Sequence, residues 1–254
     1  MNLVEIIRYF ENKFPRELAY EWDNVGIQVG TLNLPAQKVL ITLDITKEVV
    51  KEAIENKVNL IISHHPLLFN PLDKIIFDTP RGWIIKNLIK HNITVYSAHT
   101  NYDLAEGGMN DEFARIFNLN NISLLDEIDG IGRYGDIEPI STLDFIEVVK
   151  HKLEIDTVKI IGRYDRLIKR VGISGGSGSK HMYQAKMRGC DIYLTGDVTY
   201  HAAIDAEQSG ITVLDIGHHA EKIFVKAIKN FLEPEFKDVE FICSKIDTNP
   251  YKNI

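Results

Sequence analysis

The sequence predicts an α/β fold with mostly parallel sheet. Two observations carry this. Short apolar runs alternate with helical patterns in the order β-α-β-α-β between residues 38 and 99, and the alternation returns between 170 and 232. Strands that read as continuous apolar runs belong to sheets covered on both faces, and helical crossovers supply that cover. A third observation is an echo: "NITVYSAHTNYD" (92–103) and "GITVLDIGHHAE" (210–221) share "ITV" at an offset of 118, and at that offset Asp103 falls on Glu221. A short match arises easily by chance, but the matching order of the preceding elements makes an internal duplication plausible.

The elements follow in order. Leu3, Ile6, Ile7, Phe10 and Phe14 recur at helical spacing, so the chain opens on a helix. "KVLITLD" (38–44), "NLIIS" (59–63) and "ITVYSAH" (93–99) read as buried strands. Helices lie between them at 45–57 and 81–91, the first with Thr46 and Glu48 at its start. "TLDFIEVVKHKLEI" (142–155) reads as a helix, and Gly130, Gly132 and Gly135 before it as turn markers. The second round consists of a strand at 170–176, a helix at 179–189, a strand at 191–197, a helix at 199–210 and a strand at 211–219. It closes on a long amphipathic helix at 219–232.

Bulk composition narrows the function classes. With 254 residues, 44% hydrophobic and 26% charged, the chain can bury an ordinary core without a metal staple. Two distant cysteines, Cys190 and Cys243, cannot form a disulfide framework or a cysteine-rich zinc site, and suit a reducing cytoplasm. The N-terminal "MNLVEIIRYFENKF" lacks the charge and apolar layout of a signal peptide, and no apolar run reaches the roughly 18 residues of a membrane span. A net charge of −7 argues against bulk electrostatic binding of nucleic acid. The exception is "DTVKIIGRYDRLIKR" (156–170), with five basic and two acidic residues. A solvated face explains it better than a phosphate-binding patch.

Histidines are the most informative residues. Five of the nine, His64, His65, His99, His218 and His219, end or follow predicted strands. Ligands in α/β folds gather at the carboxyl ends of parallel strands. Asp103 and Glu221 accompany them, and His218 and Glu221 stand three apart at a predicted helix start, where one turn can join them. A lone histidine at a strand end is usually structural; clusters at three equivalent strand ends favour metal. Imidazole and carboxylate without thiolate suit Zn²⁺, Fe²⁺ or Mn²⁺. With at least five candidate ligands, two ions bridged by a carboxylate fit better than one. Asp197 and His201 in "TGDVTYH", together with His99, are weaker candidates, as partners behind the ligands or as proton shuttles. A helix cap at Asp197 or Thr199 explains that stretch equally well. "ISGGSGSK" (173–180) fails the phosphate-loop spacing and reads as a tight turn into a helix. "WDNVG" (22–26) reads as a structural turn.

"WDNVGIQVG", "ISHHPLLF", "SAHTNYD", "TGDVTYHAAID" and "DIGHHAEK", in that order over essentially the whole chain, resemble the GTP cyclohydrolase 1 type 2 homolog family, also called the Nif-three-like family. The resemblance implies two intertwined, similar α/β domains, a dinuclear metal site and a ring-shaped homohexamer. Carried over residue by residue, His64 and Asp103 would hold one ion and His65 and His218 the other, with Glu221 bridging. Some relatives place the glutamate one position later, where this chain has the cation Lys222. The expected division is a metal-site domain of residues 1–119 plus 190–254 and a second α/β domain of 120–189.

The expected function is hydrolysis dependent on two divalent ions per subunit, acting on GTP or a related nucleotide-like small molecule in the cytoplasm. The family name implies ring opening at the purine. Two alternatives use the same ligands. One is a metal-loaded ring that binds nucleic acid or a protein partner, resting on stretch 156–170; the other is metal storage or delivery.

Overall fold

A computed structural model describes residues 1–252. The chain divides into two compact units, the first made of Met1–Ala105 and Phe224–Pro250, the second of Glu106–Ile223 with the chain end from Tyr251. The second unit is therefore inserted into the sequence of the first. This division differs from the expected one at both borders, because residues 190–223 carry strands that pair in the second sheet.

In the first unit the chain runs through α1 (Leu3–Lys13), β1 (Gly26–Val29), β2 (Lys38–Thr42), α2 (Lys47–Glu55) and β3 (Leu60–Ser63). It continues through α3 (Pro80–Lys90), β4 (Thr94–Ser97) and α4 (Thr100–Leu104). The far end of the chain supplies α9 (Ile223–Leu232) and β11 (Glu240–Cys243). The sheet order is β1-β4-β3-β2-β11, parallel except for β1. β3 and β4 are buried at every position, as expected of strands covered on both faces. One face packs Leu40, Ile61 and Val95 against Val49, Val50 and Ala53 of α2 and Ile84, Ile85 and Leu88 of α3. On the other side Tyr96, the strand neighbour of Val95, meets Phe10 of α1 edge-on at 5.9 Å between ring centres. Phe14 joins that layer to Phe231 of α9 at 5.2 Å. Thr46 caps α2 by accepting from the Val49 amide, and Thr79 caps α3 ahead of Pro80 at its first position.

The second unit holds α5 (Met109–Ile116), β5 (Asn120–Leu124), β6 (Arg133–Ser141), α6 (Thr142–Leu153), β7 (Lys159–Ile161) and β8 (Leu167–Ile173). After these come α7 (Met182–Met187), β9 (Ile192–Thr195), α8 (Tyr200–Ser209) and β10 (Thr212–Asp215). Its sheet order is β5-β6-β8-β9-β10-β7. Only β8-β9 and β9-β10 are parallel; β5-β6, β6-β8 and β10-β7 are antiparallel. The expectation of mostly parallel sheets thus holds for the first unit, while the second is mixed. Its β5, β6 and β8 pair antiparallel, an arrangement that helical crossovers cannot announce in the sequence. Gly135 lies inside β6 rather than in a turn. The expected helix 219–232 begins as a 3-10 turn, His218–Lys222, and becomes α-helical at Ile223.

Candidate metal centre

In the first unit the histidines sit where parallel strands end. The backbone amides of His64 and His65 bond to the carbonyls of Thr42 and Leu43, and the chain bends at the two histidines, so their rings lie 5.0 Å apart between centres. His64 is completely buried and His65 half-buried. Pro66 then ends any further pairing.

His64 Nδ1 lies 2.8 Å from the Ala98 carbonyl, so that nitrogen carries the proton and Nε2 carries the lone pair. Nε2 lies 3.6 Å from Asp103 Oδ1. Asp103 is placed by α4, the five-residue helix that follows β4. His65 Nδ1 is held by Asp44 Oδ1 at 2.6 Å, and Asp44 Oδ2 is fixed in turn by the Thr248 hydroxyl at 2.6 Å. His99 Nδ1 lies 2.9 Å from Asp23 Oδ1. The other Asp23 oxygen accepts from the Thr100 amide at 3.0 Å and hydroxyl at 2.6 Å. Burial pushes the Asp23 carboxyl up, but the hydrogen bonds from His99 and Thr100 outweigh it and hold the carboxyl at about 2. His64, His65 and His99 each offer a ring nitrogen within 4.8 Å of the others, a spacing an ion can gather.

The second unit repeats this chemistry. His218 opens the 3-10 turn after β10, its Nδ1 held by Asp197 Oδ2 at 2.6 Å and its Nε2 lying 3.2 Å from Glu221 Oε2. Asp197 follows β9 in the left-handed region, with φ of 52°. Thr199 caps α8, which leaves Asp197 to the histidine. Glu221 is buried at 2% exposure. A Cβ at Gly176 would stand 2.7 Å from Glu221 Oε1, and Gly176 has φ of +59°. The "ISGG" glycines therefore let the backbone close onto the glutamate, a role beyond the turn expected of them.

Each unit thus brings together its own share of the expected ligands: His64, His65 and Asp103 in the first, His218 and Glu221 in the second. Lys222 is turned away, its ammonium donating to the Glu154 carbonyl that ends α6 at 2.8 Å. His219 is half-buried in the 3-10 turn. His201 is exposed in the first turn of α8, its ring 5.5 Å from Tyr200, and joins none of the ligand groups found among the described residues. In the stretch 156–170, Arg166 bonds the Asp191 carbonyl and, at 3.0 Å, the Thr212 hydroxyl, and Arg170 pairs with Asp136 at 2.7 Å. Those two arginines serve the second sheet.

Sequence reasoning missed Asp23 and Asp44. The sequence places Asp23 in a structural turn. The missed signal is that each histidine at a strand end needs an acceptor for its other nitrogen, and the carboxylate supplying it lies 21 residues away for His65 and 76 for His99.

Residues 1–250 match the model of a family described as Duf34/NIF3 (NGG1p interacting factor 3). A curated relative from Streptococcus pneumoniae, named GTP cyclohydrolase 1 type 2 homolog, is 37% identical over 98% of both chains. One of the same name from Clostridium perfringens is 38% identical over the full length of both. Among solved structures, a Bacillus cereus protein related to NIF3 superposes with a TM-score of 0.95 at 28% identity, covering 100% of this chain and 99% of that one. Reduced HcgD from Methanocaldococcus jannaschii superposes with a TM-score of 0.85 at 32% identity, covering 97% and 98%.

Proposed function

The chain belongs to the Duf34/NIF3 family, and from that premise we propose that it is a hydrolase dependent on two divalent metal ions. His64, His65, Asp103, His218 and Glu221 are the proposed ligands. One observation carries the reading. His64, His65 and His218 each have Nδ1 bound to an acceptor, namely the Ala98 carbonyl, Asp44 and Asp197. A ring held through Nδ1 turns its Nε2 toward the site, and imidazoles braced by a carboxylate or carbonyl are the usual form of metal-ligating histidine. The donor set, imidazole nitrogen with carboxylate oxygen, fits Zn²⁺, Fe²⁺ or Mn²⁺.

Bound at these residues, divalent ions supply an acidified water and polarise the bond to be cut. The chain's own residues do the rest. Asp23 holds His99 through Nδ1, and His99 offers a ring nitrogen within 4.8 Å of those of His64 and His65, close enough to take the proton that hydrolysis releases. Asp44 and Asp197 keep the ligand rings from turning. The relatives' name points to a nucleotide-like substrate, with GTP the first to test. We also propose the cytoplasm as the compartment, supported by two free cysteines and by the absence, among the described residues, of a helix long and apolar enough to cross a membrane. A homohexamer is part of the same proposal. Ile75, Ile76 and Phe77, each about half exposed, are apolar surface that an assembly can cover.

Metal analysis of protein purified without chelator should find at least two ions per chain, and a value near zero overturns the proposal. His65→Ala and Glu221→Ala should each abolish nucleotide hydrolysis with the circular dichroism unchanged. Light scattering checks the hexamer. The nucleic-acid reading loses support from the engagement of Arg166 and Arg170; binding abolished by replacing Arg163, Arg166 and Lys169, but kept in Glu221→Ala, would revive it.

A further inference from the structure

A separate group of residues lies wholly within the second unit. Asp126 and Asp129 sit in the turn between β5 and β6. His181 ends the 3-10 turn Ser179–His181 that leads into α7. One ligand atom from each of the three lies within 4.8 Å of the others. His181 is only 2% exposed and Asp126 5%.

The hydrogen bonds assign the atoms. Asp126 Oδ1 accepts the Ile128 and Asp129 amides at 2.9 and 3.2 Å. Asp126 Oδ2 accepts Gln184 Nε2 at 3.0 Å and faces His181 Nδ1 at 3.1 Å. Four donors on one carboxylate keep it ionised and put the histidine proton on Nδ1. The buried Nε2 of His181 has no hydrogen-bond partner, and its nearest carboxylate oxygen is Asp129 Oδ2 at 4.0 Å. A lone pair and an anionic oxygen thus face each other, one of them buried, with no proton between. Burial lowers the proton affinity of His181, with the Asp126 bond opposing, so a second proton on the ring is not the remedy.

We propose that His181 Nε2 and Asp129 Oδ2 form a further divalent-cation site of the Zn²⁺ class, with Asp126 as the carboxylate that orients the histidine. Ion-to-nitrogen and ion-to-oxygen distances of about 2.0–2.2 Å each let one ion span a gap near 4 Å. The same Asp–His pairing is seen at His65 and His218, and it is the brace a ligating imidazole takes. Water fills the remaining positions. Lys180 Nζ, 3.2 Å from Asp129 Oδ2 on an exposed side chain, competes for the same oxygen and can swing into solvent when an ion binds.

The test uses the full chain carrying His65→Ala and Glu221→Ala, so that the proposed dinuclear centre is disabled, with Zn²⁺ alone followed by isothermal titration and Co²⁺ by its absorption bands. The expected result is one Zn²⁺ per chain and a Co²⁺ spectrum with an imidazole ligand. Both should be lost in His181→Ala and in Asp129→Asn, the latter a partly exposed position that leaves the fold intact. Lys180→Ala should tighten binding by about threefold, the scale of one exposed ion pair. Absence of binding overturns the proposal, as does binding that survives Asp129→Asn unchanged.

Discussion

The two units solve the same folding problem with the same four strands. In the first, β1 lies antiparallel beside β4, followed by β3 and β2. In the second, β7 lies antiparallel beside β10, followed by β9 and β8. In both, the strand before the β-α-β-α-β run closes the far edge of that run. The correspondence reaches single atoms. Gly30 follows β1 at φ +92°, and a Cβ there would come within 2.9 Å of Thr94 Cα; Gly162 follows β7 at φ +84°, and a Cβ there would come within 2.9 Å of the Ile211 carbonyl. The Thr94 hydroxyl donates to the Thr31 carbonyl at 2.7 Å, and the Thr212 hydroxyl to the Arg163 carbonyl at 2.7 Å. Asp103 and Glu221 each lie six residues past the end of their strand, β4 and β10. The difference lies after the middle strand. β3 is followed by His64 and His65, whereas β9 is followed by Gly196 and Asp197. One copy offers imidazoles at that point; the other offers room and a brace for His218. Two like scaffolds thus carry unequal shares of the candidate ligands.

The sharpest way to break this comparison is at the paired glycines. Gly30→Val and Gly162→Val each force a branched side chain into the left-handed region against backbone, and each should cost about 3 kcal/mol in denaturant unfolding. A large asymmetry between the two would mean that the corner supports only one unit. Next come the braces. Asp44→Ala and Asp197→Ala should each weaken metal binding by about 10- to 100-fold in competition with a chelator. Equal losses fit one centre served by both halves; loss for only one of them separates the halves.

Asp23 gives an effect of similar size in the first unit. Its carboxyl sits at about 2 in the folded chain, against about 3.9 in an unfolded one. The stabilisation, about 2 kcal/mol, is therefore present above pH 4 and lost as pH falls toward 2. Asp23→Asn should flatten the acid limb of the stability curve by that amount, and a curve identical to wild type would refute the coupling to His99 and Thr100. The smallest effect is at the matched threonines. Thr94→Val and Thr212→Val should each cost about 1 kcal/mol of stability, measured by the same unfolding curves.

Local pattern made much of the molecule legible. The apolar runs at 38–44, 59–63 and 93–99 became β2, β3 and β4 because their burial on both faces leaves no polar alternation to misread. The offset of 118 that joined Asp103 to Glu221 also joins Thr94 to Thr212, two corners built alike. The edge strands were not legible. β1, β5, β7 and β11 are short and partly exposed, and a strand of three to five residues carries too little periodicity to show itself.

The sequence by itself determined the ligand candidates, since imidazole and carboxylate chemistry is written in residue type and strand ends are written in apolar runs. Only the tertiary structure decided which nitrogen each histidine presents. That choice depends on an acceptor brought from elsewhere in the chain: Asp44 for His65, Asp23 for His99, Asp197 for His218. Sheet pairing creates these neighbours across 21 to 76 residues, and a hydrogen bond between such distant positions leaves no local trace in the order of the amino acids.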